Sequence, residues 1–367
     1  MSELYFESEK LMQAPVERAA FSDRMAYVCA ELSRLAYFPF EGNQSKQEVL
    51  EIVSDVIRDE DEKKILLDRL SPFLNAVSHE RGEAEEAFNA ILQAKDFESA
   101  EFFNDKGAEA FLTTRIYELN GGHRKKVAFL SFRGTQGKSW RDIKADVKAN
   151  PKIRRVGNAD LTFHSGFLNY YENLELKLIN ELAKLEYDQM FVTGHSLGGA
   201  MAAIATRLLP FEIRGACYTF GAPPIGKKEI SYGLKTPTYQ LINDSDMVPH
   251  LPNPWLAIGL KGILMLLKFL SSFFIILRPI FGSQLERRMV TFLDNISQYQ
   301  HPSYVSYLLG SGHSARLHYN LRFYSYITLL LKRLHKSGFW VSGKKKIADH
   351  SITKYSDKLR TVGEGRN

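Results

Sequence analysis

Residues 194–198, Gly-His-Ser-Leu-Gly, decide the fold class of this chain, because they join a predicted strand to a predicted helix through a single serine. The preceding segment 189–193, Gln-Met-Phe-Val-Thr, is short and apolar, which is typical of a buried strand. The following segment 199–206, Gly-Ala-Met-Ala-Ala-Ile-Ala-Thr, predicts a tightly packed helix. A G-x-S-x-G turn in this context is typical of a nucleophile elbow, in which glycines let neighbouring backbone approach a strained serine. The pattern therefore predicts that Ser196 is a nucleophile, and an ordinary structural turn is the alternative.

The middle of the chain alternates between short apolar strands and helical segments. Asn120-Gly-Gly122 marks a turn between the first two of these strands. Ser22 and Asp23 are both candidates for the N-cap of an early helix. Strands that alternate with helices predict an α/β fold with a mostly parallel sheet. The predicted strands are 108–117, 126–131, 215–220 and 238–242, and the predicted helices are 21–37 and 167–186.

Length and composition indicate a globular protein with a substantial core. The chain has 367 residues, of which 44% are apolar, and only two cysteines, Cys29 and Cys217. Both cysteines lie in apolar segments, which predicts buried free thiols rather than a disulfide framework. Residues 1–7 are acidic and lack a basic stretch followed by an apolar one, so we expect no cleavable signal peptide. A cytoplasmic or peripheral membrane location follows as the expectation, and export without a cleavable signal stays open.

The net charge of +6 conceals two regions of opposite sign. Residues 1–105 carry 11 basic and 23 acidic side chains, whereas residues 106–367 carry 37 basic and 19 acidic ones. A basic body suits an anionic surface such as phospholipid headgroups, although the acidic region could instead pack against the basic body. The basic residues form no aromatic-interleaved patch and no recognisable nucleic-acid module, so we expect no nucleic-acid partner.

Six short motifs follow one another in an order that is more specific than any single motif. They are Phe132-Arg-Gly-Thr135, His164-Ser-Gly-Phe167, Gly194-His-Ser-Leu-Gly-Gly199, Thr219-Phe-Gly-Ala-Pro223, Asp246-Met-Val-Pro-His-Leu-Pro252 and Asp349-His-Ser-Ile352. In this order they resemble the class 3 (fungal-type) lipases, over residues 108–252 and a short C-terminal segment, with a looser similarity in residues 21–37. The resemblance implies an α/β-hydrolase fold, one catalytic domain over residues 1–367, and chemistry without a metal or organic cofactor.

A serine nucleophile needs a base and an acid, and the α/β-hydrolase order is serine, then acid, then histidine. Asp246 follows an apolar strand and matches the acid in the family's Asp-x-Val-Pro pattern, with Asp244 as its rival. His350 lies in a segment that resembles the family's histidine segment before a final helix, with His318 as the main rival. The other histidines after the acid, for which a surface or loop position is the default, are His250, His301, His313 and His335.

Two donors are expected to stabilise the oxyanion of a tetrahedral intermediate. The backbone N–H of Leu197, the residue after the nucleophile, is one, and the resemblance implies that Thr135 supplies the other. By the same resemblance, His195 and His164 are packing residues rather than bases. The segment 137–147 occupies the place of the family's lid helix, and it could equally be a fixed helix with a buried face.

Two segments stand apart from these motifs. Residues 45–105 predict a helical, acidic insertion or cap, and residues 254–345 predict an apolar helical insertion between acid and base. Within the second, residues 255–281 are intensely apolar but are interrupted by Lys261 and Lys268, which lie seven residues apart on one helical face. This spacing favours a helix in a membrane interface or along an acyl-chain pocket. A buried or dimer-forming helix and a true membrane span are the alternatives.

Together these features predict a serine carboxylester hydrolase that cleaves lipid acyl esters, of the lipase or phospholipase A type. Peripheral membrane contact is expected through residues 255–282, and the basic body favours phospholipid over neutral lipid as substrate. A membrane-binding protein on a hydrolase scaffold is one alternative, and an acyltransferase that uses the same acyl-enzyme is another. Head-group preference, acyl position and oligomeric state do not follow from these motifs.

Overall fold

The computed structural model describes residues 4–13, 15–16, 19–38, 82–119, 121–134, 151–244, 246, 248–250, 298–310, 312–319 and 348–365, with 262, 265, 290–291 and 293–294 in addition. The helices of this part of the chain are α1 (Glu9–Met12), α2 (Asp23–Leu35), α3 (residues 82–93), α4 (Ser165–Leu182), α5 (Leu197–Leu208) and α6 (Ile352–Glu364). The strands are β1 (Glu101–Asp105), β2 (Ala108–Glu118), β3 (Arg124–Phe132), β4 (Pro151–Val156), β5 (Ala159–His164), β6 (Gln189–His195), β7 (Cys217–Phe220), β8 (Gly226–Lys227), β9 (Thr238–Asn243), β10 (Tyr299–Gln300), β11 (Tyr304–Leu309) and β12 (Arg316–Tyr319). Short 3₁₀ turns lie at Lys228–Ser231, Val248–His250, Gly312–Ser314 and Ala348–His350.

A central sheet organises the described residues, with strand order β1-β2-β3-β6-β7-β9-β11-β12. The neighbours from β3 across to β11 pair in parallel, and the antiparallel pairs lie toward the two edges. The mostly parallel α/β sheet that the sequence predicts is therefore confirmed. A smaller antiparallel sheet has the order β10-β8-β5-β4. Because β6, β7 and β9 are parallel neighbours, the loops that follow them meet at one edge of the central sheet.

Helices cover both faces of the central sheet, and the pleat of β3 shows how the sequence achieves this. Val127 and Phe129 belong to the core that contains residues of α2, α3 and α6. Ala128 and Leu130 alternate with them and belong to the core that contains residues of α4 and α5. Side chains of successive strand residues point to opposite faces, so a strand buried on both faces is apolar at every position.

Helix α2 brings the N-terminal part of the chain beneath the nucleophile strand. Its N-cap is Ser22, whose Oγ accepts a hydrogen bond from the backbone N–H of Met25 at 3.2 Å. Farther along, Ser33 Oγ lies 2.9 Å from Thr193 Oγ1 on β6. The buried carboxylate of Glu31 also hydrogen bonds to Ser356 of α6. The looser motif in residues 21–37 is thus part of the core beside the elbow.

The predicted helical insertion over residues 45–105 is wrong at its C-terminal end. Residues 82–93 are helical, but residues 101–105 form strand β1, which pairs with β2 at the edge of the central sheet. Lys106 and Gly107, which connect the two strands, have φ of 46° and 77°, as a tight hairpin turn requires. The turn lets residues 101–105 pair with β2 as a strand, although the charged composition of the segment predicts a helix. Residues 45–81 lie outside the described residues.

The predicted helical insertion over residues 254–345 is likewise wrong for residues 299–319. Strand β11 extends the central sheet by parallel pairing with β9, and β12 then pairs antiparallel with β11. The aromatic and β-branched residues of β11, Tyr-Val-Ser-Tyr-Leu-Leu, suit a strand that covers an otherwise open edge. Apart from Gly262 and Met265, the expected membrane-contacting segment 255–282 lies outside the described residues. Among the described residues, no helix has the length and apolar character needed to cross a bilayer.

Candidate active site

Ser196 occupies a strained turn between β6 and α5. Its φ and ψ are 58° and −126°, a left-handed backbone conformation that is costly for a residue with a side chain. Two hydrogen bonds hold this backbone, from Ser196 N–H to Phe220 O at 2.9 Å and from Ala200 N–H to Ser196 O at 3.1 Å. An added Cβ at Gly194 would collide with the backbone of Gly198, so the turn closes only with glycine there. The surrounding structure therefore enforces the turn that the motif predicts.

Three side chains that the sequence analysis singles out meet at this turn. Ser196 Oγ lies 2.8 Å from Nε2 of His350, and Nδ1 of His350 lies 2.8 Å from Oδ2 of Asp246. Because a carboxylate only accepts hydrogen bonds, Nδ1 of His350 donates to Asp246, and Nε2 is left to accept from the serine hydroxyl. All three residues are buried, with 6%, 5% and 0% of Ser196, His350 and Asp246 exposed. Residues far apart in sequence thus form one line of hydrogen bonds.

The carboxylate of Asp246 has two further donors. The backbone N–H of Val248 donates to its Oδ1 at 2.9 Å, and the Tyr355 hydroxyl donates to its Oδ2 at 2.6 Å. Tyr355 lies on α6 and also accepts the backbone N–H of Asn243 at 3.0 Å. No role of Tyr355 was predicted from the sequence, although the residue lies only three positions beyond the motif Asp349-His-Ser-Ile352. Its hydroxyl orients the acid, because it fills a lone pair that would otherwise be buried without a partner.

Leu197 is the expected oxyanion donor that the structure describes. Leu197 is the first residue of α5, where backbone N–H groups lack a partner within the helix and the helix dipole favours negative charge. Thr135 lies outside the described residues. Two residues before it, the buried guanidinium of Arg133 pairs with Glu109 of β2, and Arg133 N–H donates to Glu109 O at 2.9 Å. The strand end that leads to Thr135 is therefore anchored to β2.

His195, inside the elbow, contacts the residue that carries the base rather than the serine. Its Nε2 lies 2.6 Å from the backbone carbonyl oxygen of His350, and its Nδ1 lies 2.9 Å from the hydroxyl of Tyr37. Burial, reinforced by the nearby His350, holds the pKa of His195 well below its usual range, so the ring is neutral. His164 is also fully buried and stacks on Phe167 with 4.0 Å between ring centroids.

The rivals for acid and base lie elsewhere. Asp246, and not Asp244, contacts His350. His318 is exposed on the edge strand β12. His301 donates from Nε2 to the carbonyl oxygen of Pro249 at 2.8 Å, which ties the β10–β11 connection to the loop after the acid. His250 lies in the 3₁₀ turn of that same loop. The side chain of His313 and all of His335 lie outside the described residues.

The expected lid segment 137–147 lies outside the described residues as well. In the described part of the chain, no group of three or more histidine, cysteine, aspartate or glutamate residues is arranged to hold a metal ion. Both cysteines, Cys29 and Cys217, are buried free thiols, and burial raises the pKa of each. The hydrogen-bonded line of Ser196, His350 and Asp246 is suited to nucleophilic attack by a serine whose proton passes to a histidine.

Comparison with known proteins matches this part of the chain to one family. The family model described as Lipase (class 3) matches residues 129–255. A lipase of Rhizomucor miehei is 32% identical over 161 residues, which cover 38% of this chain and 42% of that protein. A lipase of Rhizopus niveus is 29% identical over 164 residues, which cover 38% and 39%. The solved structure of lipase II from Rhizopus niveus aligns with a TM-score of 0.43 and 17% identity, covering 74% of this chain and 85% of that chain.

The family-model match contains the elbow and the acid. The chain spans about 40% of the length of the two curated relatives. Five of the six motifs quoted above fall inside the matched range 129–255, and the segment that carries His350 lies beyond it. The matched range includes the elbow, the strands that flank it and the loop that carries Asp246. Over residues 129–255, which hold the elbow and the acid, the chain matches the class 3 lipase family.

Proposed function

We propose that this protein is a serine carboxylester hydrolase that cleaves lipid acyl esters through an acyl-enzyme intermediate. One observation carries the proposal: the hydrogen-bonded line from Ser196 Oγ through the ring of His350 to the carboxylate of Asp246. A structural serine has no need of a buried imidazole held in the one tautomer that accepts its proton. The similarity of residues 129–255 to the class 3 lipases supports a lipid ester as the substrate class.

In the first half of the reaction, Ser196 Oγ attacks the ester carbonyl carbon while Nε2 of His350 takes the hydroxyl proton. Asp246 accepts the Nδ1 proton of His350 in a hydrogen bond and so stabilises the imidazolium that forms. The oxyanion of the tetrahedral intermediate receives the backbone N–H of Leu197 and, by family resemblance, a donor from Thr135. The imidazolium then protonates the leaving alcohol as its bond to the acyl carbon breaks, which leaves Ser196 acylated and His350 neutral.

The second half repeats these steps with water in place of serine. Nε2 of His350 removes a proton from the water, whose oxygen attacks the acyl carbon. Collapse of the second intermediate breaks the bond to Ser196 Oγ, which recovers its proton from His350 and releases the fatty acid. Loss of one oxyanion donor typically costs about 100–1000-fold in turnover, so both donors are needed for efficient hydrolysis.

A phospholipid is the substrate that we favour within this class. Residues 106–367 carry 37 basic and 19 acidic side chains, and such a surface is attracted to anionic headgroups. Peripheral contact through the apolar segment 255–282 would place the site at the bilayer surface, where the acyl ester bonds lie. Of the two features, the charge supports phospholipid over triacylglycerol, whereas an apolar docking segment suits both.

The test compares wild type with Ser196→Ala on mixed liposomes of phospholipid and triacylglycerol, with products identified by mass spectrometry. We expect fatty acid and lysophospholipid from wild type only. Serine-dependent fatty acid and diacylglycerol without lysophospholipid would identify a neutral lipase and contradict the phospholipid preference. Acyl transfer to an added alcohol in preference to water would indicate an acyltransferase. Equal membrane damage by both proteins without any product would refute the hydrolase and favour a membrane-binding protein.

A further inference from the structure

Tyr37, two residues beyond the last residue of α2, lies between the three segments that build the proposed site. Its hydroxyl is 2.9 Å from Nδ1 of His195 and 3.4 Å from the His195 carbonyl oxygen. The same hydroxyl accepts a hydrogen bond from the backbone N–H of Gly134, the residue before Thr135. An added Cβ at Gly134 would overlap the Tyr37 hydroxyl, so glycine at this position permits the close approach. A single side chain just beyond α2 thus contacts both the elbow and the strand end that leads to Thr135.

The direction of every hydrogen bond in this group follows from elementary chemistry. The carbonyl oxygen of His350 can only accept, so Nε2 of His195 carries the proton and donates to it at 2.6 Å. In a neutral imidazole the other nitrogen then lacks a proton and must accept. The Tyr37 hydroxyl has a single proton, which it donates to the nearer acceptor, Nδ1 of His195 at 2.9 Å, rather than to the His195 carbonyl oxygen at 3.4 Å. Its oxygen lone pairs then accept the N–H of Gly134.

We propose that Tyr37 and His195 are positioning residues, which hold the His350 backbone and the Gly134 strand end in register with Ser196 through one continuous hydrogen-bond relay. The relay runs from Gly134 N–H to Tyr37, from Tyr37 to His195, and from His195 to the His350 carbonyl. This inference rests on the proposed hydrolase function of Ser196. It explains why a histidine that does not act as the base occupies the second position of the elbow.

The relay matters because the base stands on a short 3₁₀ turn, Ala348–His350, rather than within a long helix. The hydrogen bond that Nδ1 of His350 donates to Asp246 fixes the ring of His350, whereas the hydrogen bond that His195 donates to the His350 carbonyl oxygen fixes its backbone. Loss of the second contact lets the imidazole shift while its bond to Asp246 persists. A shift of about 1 Å can cost about 100-fold in rate, so we expect a drop of about 10-fold in kcat for a smaller displacement.

The experiment measures kcat and KM of Tyr37→Phe, His195→Leu and the double variant on a soluble p-nitrophenyl butyrate. Active sites are counted by titration with a fluorophosphonate, so that kcat refers to folded, reactive serine only. Each single variant should lose about 10-fold in kcat with KM changed less than twofold, and the double variant should lose no more than the worse single one. Tyr117→Phe is the matched control, because Tyr117 is buried in the same core but lies on β2 beneath the Arg115 guanidinium.

The outcomes separate the relay from the hydrolase itself. If Tyr37→Phe keeps the wild-type kcat per titrated site, even with fewer titrated sites, the relay is refuted and Tyr37 has only a structural role. Multiplicative losses in the double variant would also overturn it, because independent residues add in free energy whereas a relay is broken only once. If Tyr37→Phe does not fold, wild-type kcat in His195→Leu overturns it. A wild-type protein that neither reacts with the fluorophosphonate nor hydrolyses the ester would refute the hydrolase and the relay together.

Discussion

Gly221, directly after β7, leaves no room for a side chain beside the proposed acid and base, and this makes Gly221→Ala a sensitive probe of the site. Its φ is +59°, and a Cβ built there would lie 2.7 Å from Oδ2 of Asp246, 2.9 Å from the Tyr355 hydroxyl and 3.1 Å from Cε1 of His350. Ordinary van der Waals contact begins at 3.4 Å, so the carboxylate would have to retreat by about 0.7 Å. The methyl group thus pushes the acid and the base away from the serine.

The expected losses can be divided into two parts. An alanine in the left-handed region costs about 1–2 kcal/mol of stability at any position. A displacement of the acid or base by most of an ångström adds a drop of about 10- to 100-fold in kcat. Gly157, in the turn between β4 and β5, has a matching φ of +58° but nothing within 4 Å of its Cβ position. Gly157→Ala should therefore lose the same stability without the loss of activity.

Urea unfolding and kcat on p-nitrophenyl butyrate, each measured for wild type and both variants, test this reasoning. Gly221→Ala should unfold at lower urea than wild type, turn over more slowly, and react more slowly with a fluorophosphonate. If folded Gly221→Ala kept wild-type kcat, the packing of Gly221 against Asp246 and His350 could not be as described. An equal loss of activity in Gly157→Ala would show that general destabilisation, and not the contact, slows the enzyme.

Two further predictions concern stability. Burial lowers the pKa of His301 from its ordinary 6.5 to about 4. Between these two values the unfolded chain binds a proton that the folded chain does not. The free energy of unfolding should therefore fall as the pH drops from about 6.5 towards 4. Urea midpoints at about pH 7.5 and pH 5 should drop less in His301→Gln than in wild type, and an equal drop would contradict the assignment. Glu31→Ala should lower the free energy of unfolding by about 3–5 kcal/mol, because it removes the carboxylate that pairs with the buried Arg34 guanidinium at 2.8 Å. Glu118→Ala, which breaks a largely exposed pair with Arg124, should lose less than about 1 kcal/mol in the same unfolding measurement, and similar losses would refute the argument from burial.

Local sequence patterns were sufficient to predict the strand before the nucleophile and the helix after it. The apolar run 189–193 lies in β6, and the small residues 199–206 lie in α5, as expected. The strand predicted at 126–131 extends by two residues at its start and one at its end, because the neighbouring residues join the ladder with β2. Residues 101–105 gave the opposite result, because the helix-like composition of the segment conceals a hairpin whose turn is only two residues long.

The amino-acid sequence by itself determined the elbow and the mostly parallel sheet, and it identified Ser196, Asp246 and His350 as candidates. These depend on local physics: apolar runs that must be buried, and glycines where backbone approaches too closely for a side chain. Only the tertiary structure decided which residues support the candidates. Tyr37 and Tyr355 reach the site from helices at opposite ends of the chain, because the order of strands and the packing of α2 against α6 bring those ends to the same edge of the sheet. No local pattern encodes such contacts, since each depends on two segments that are remote in sequence and adjacent only after the sheet has formed.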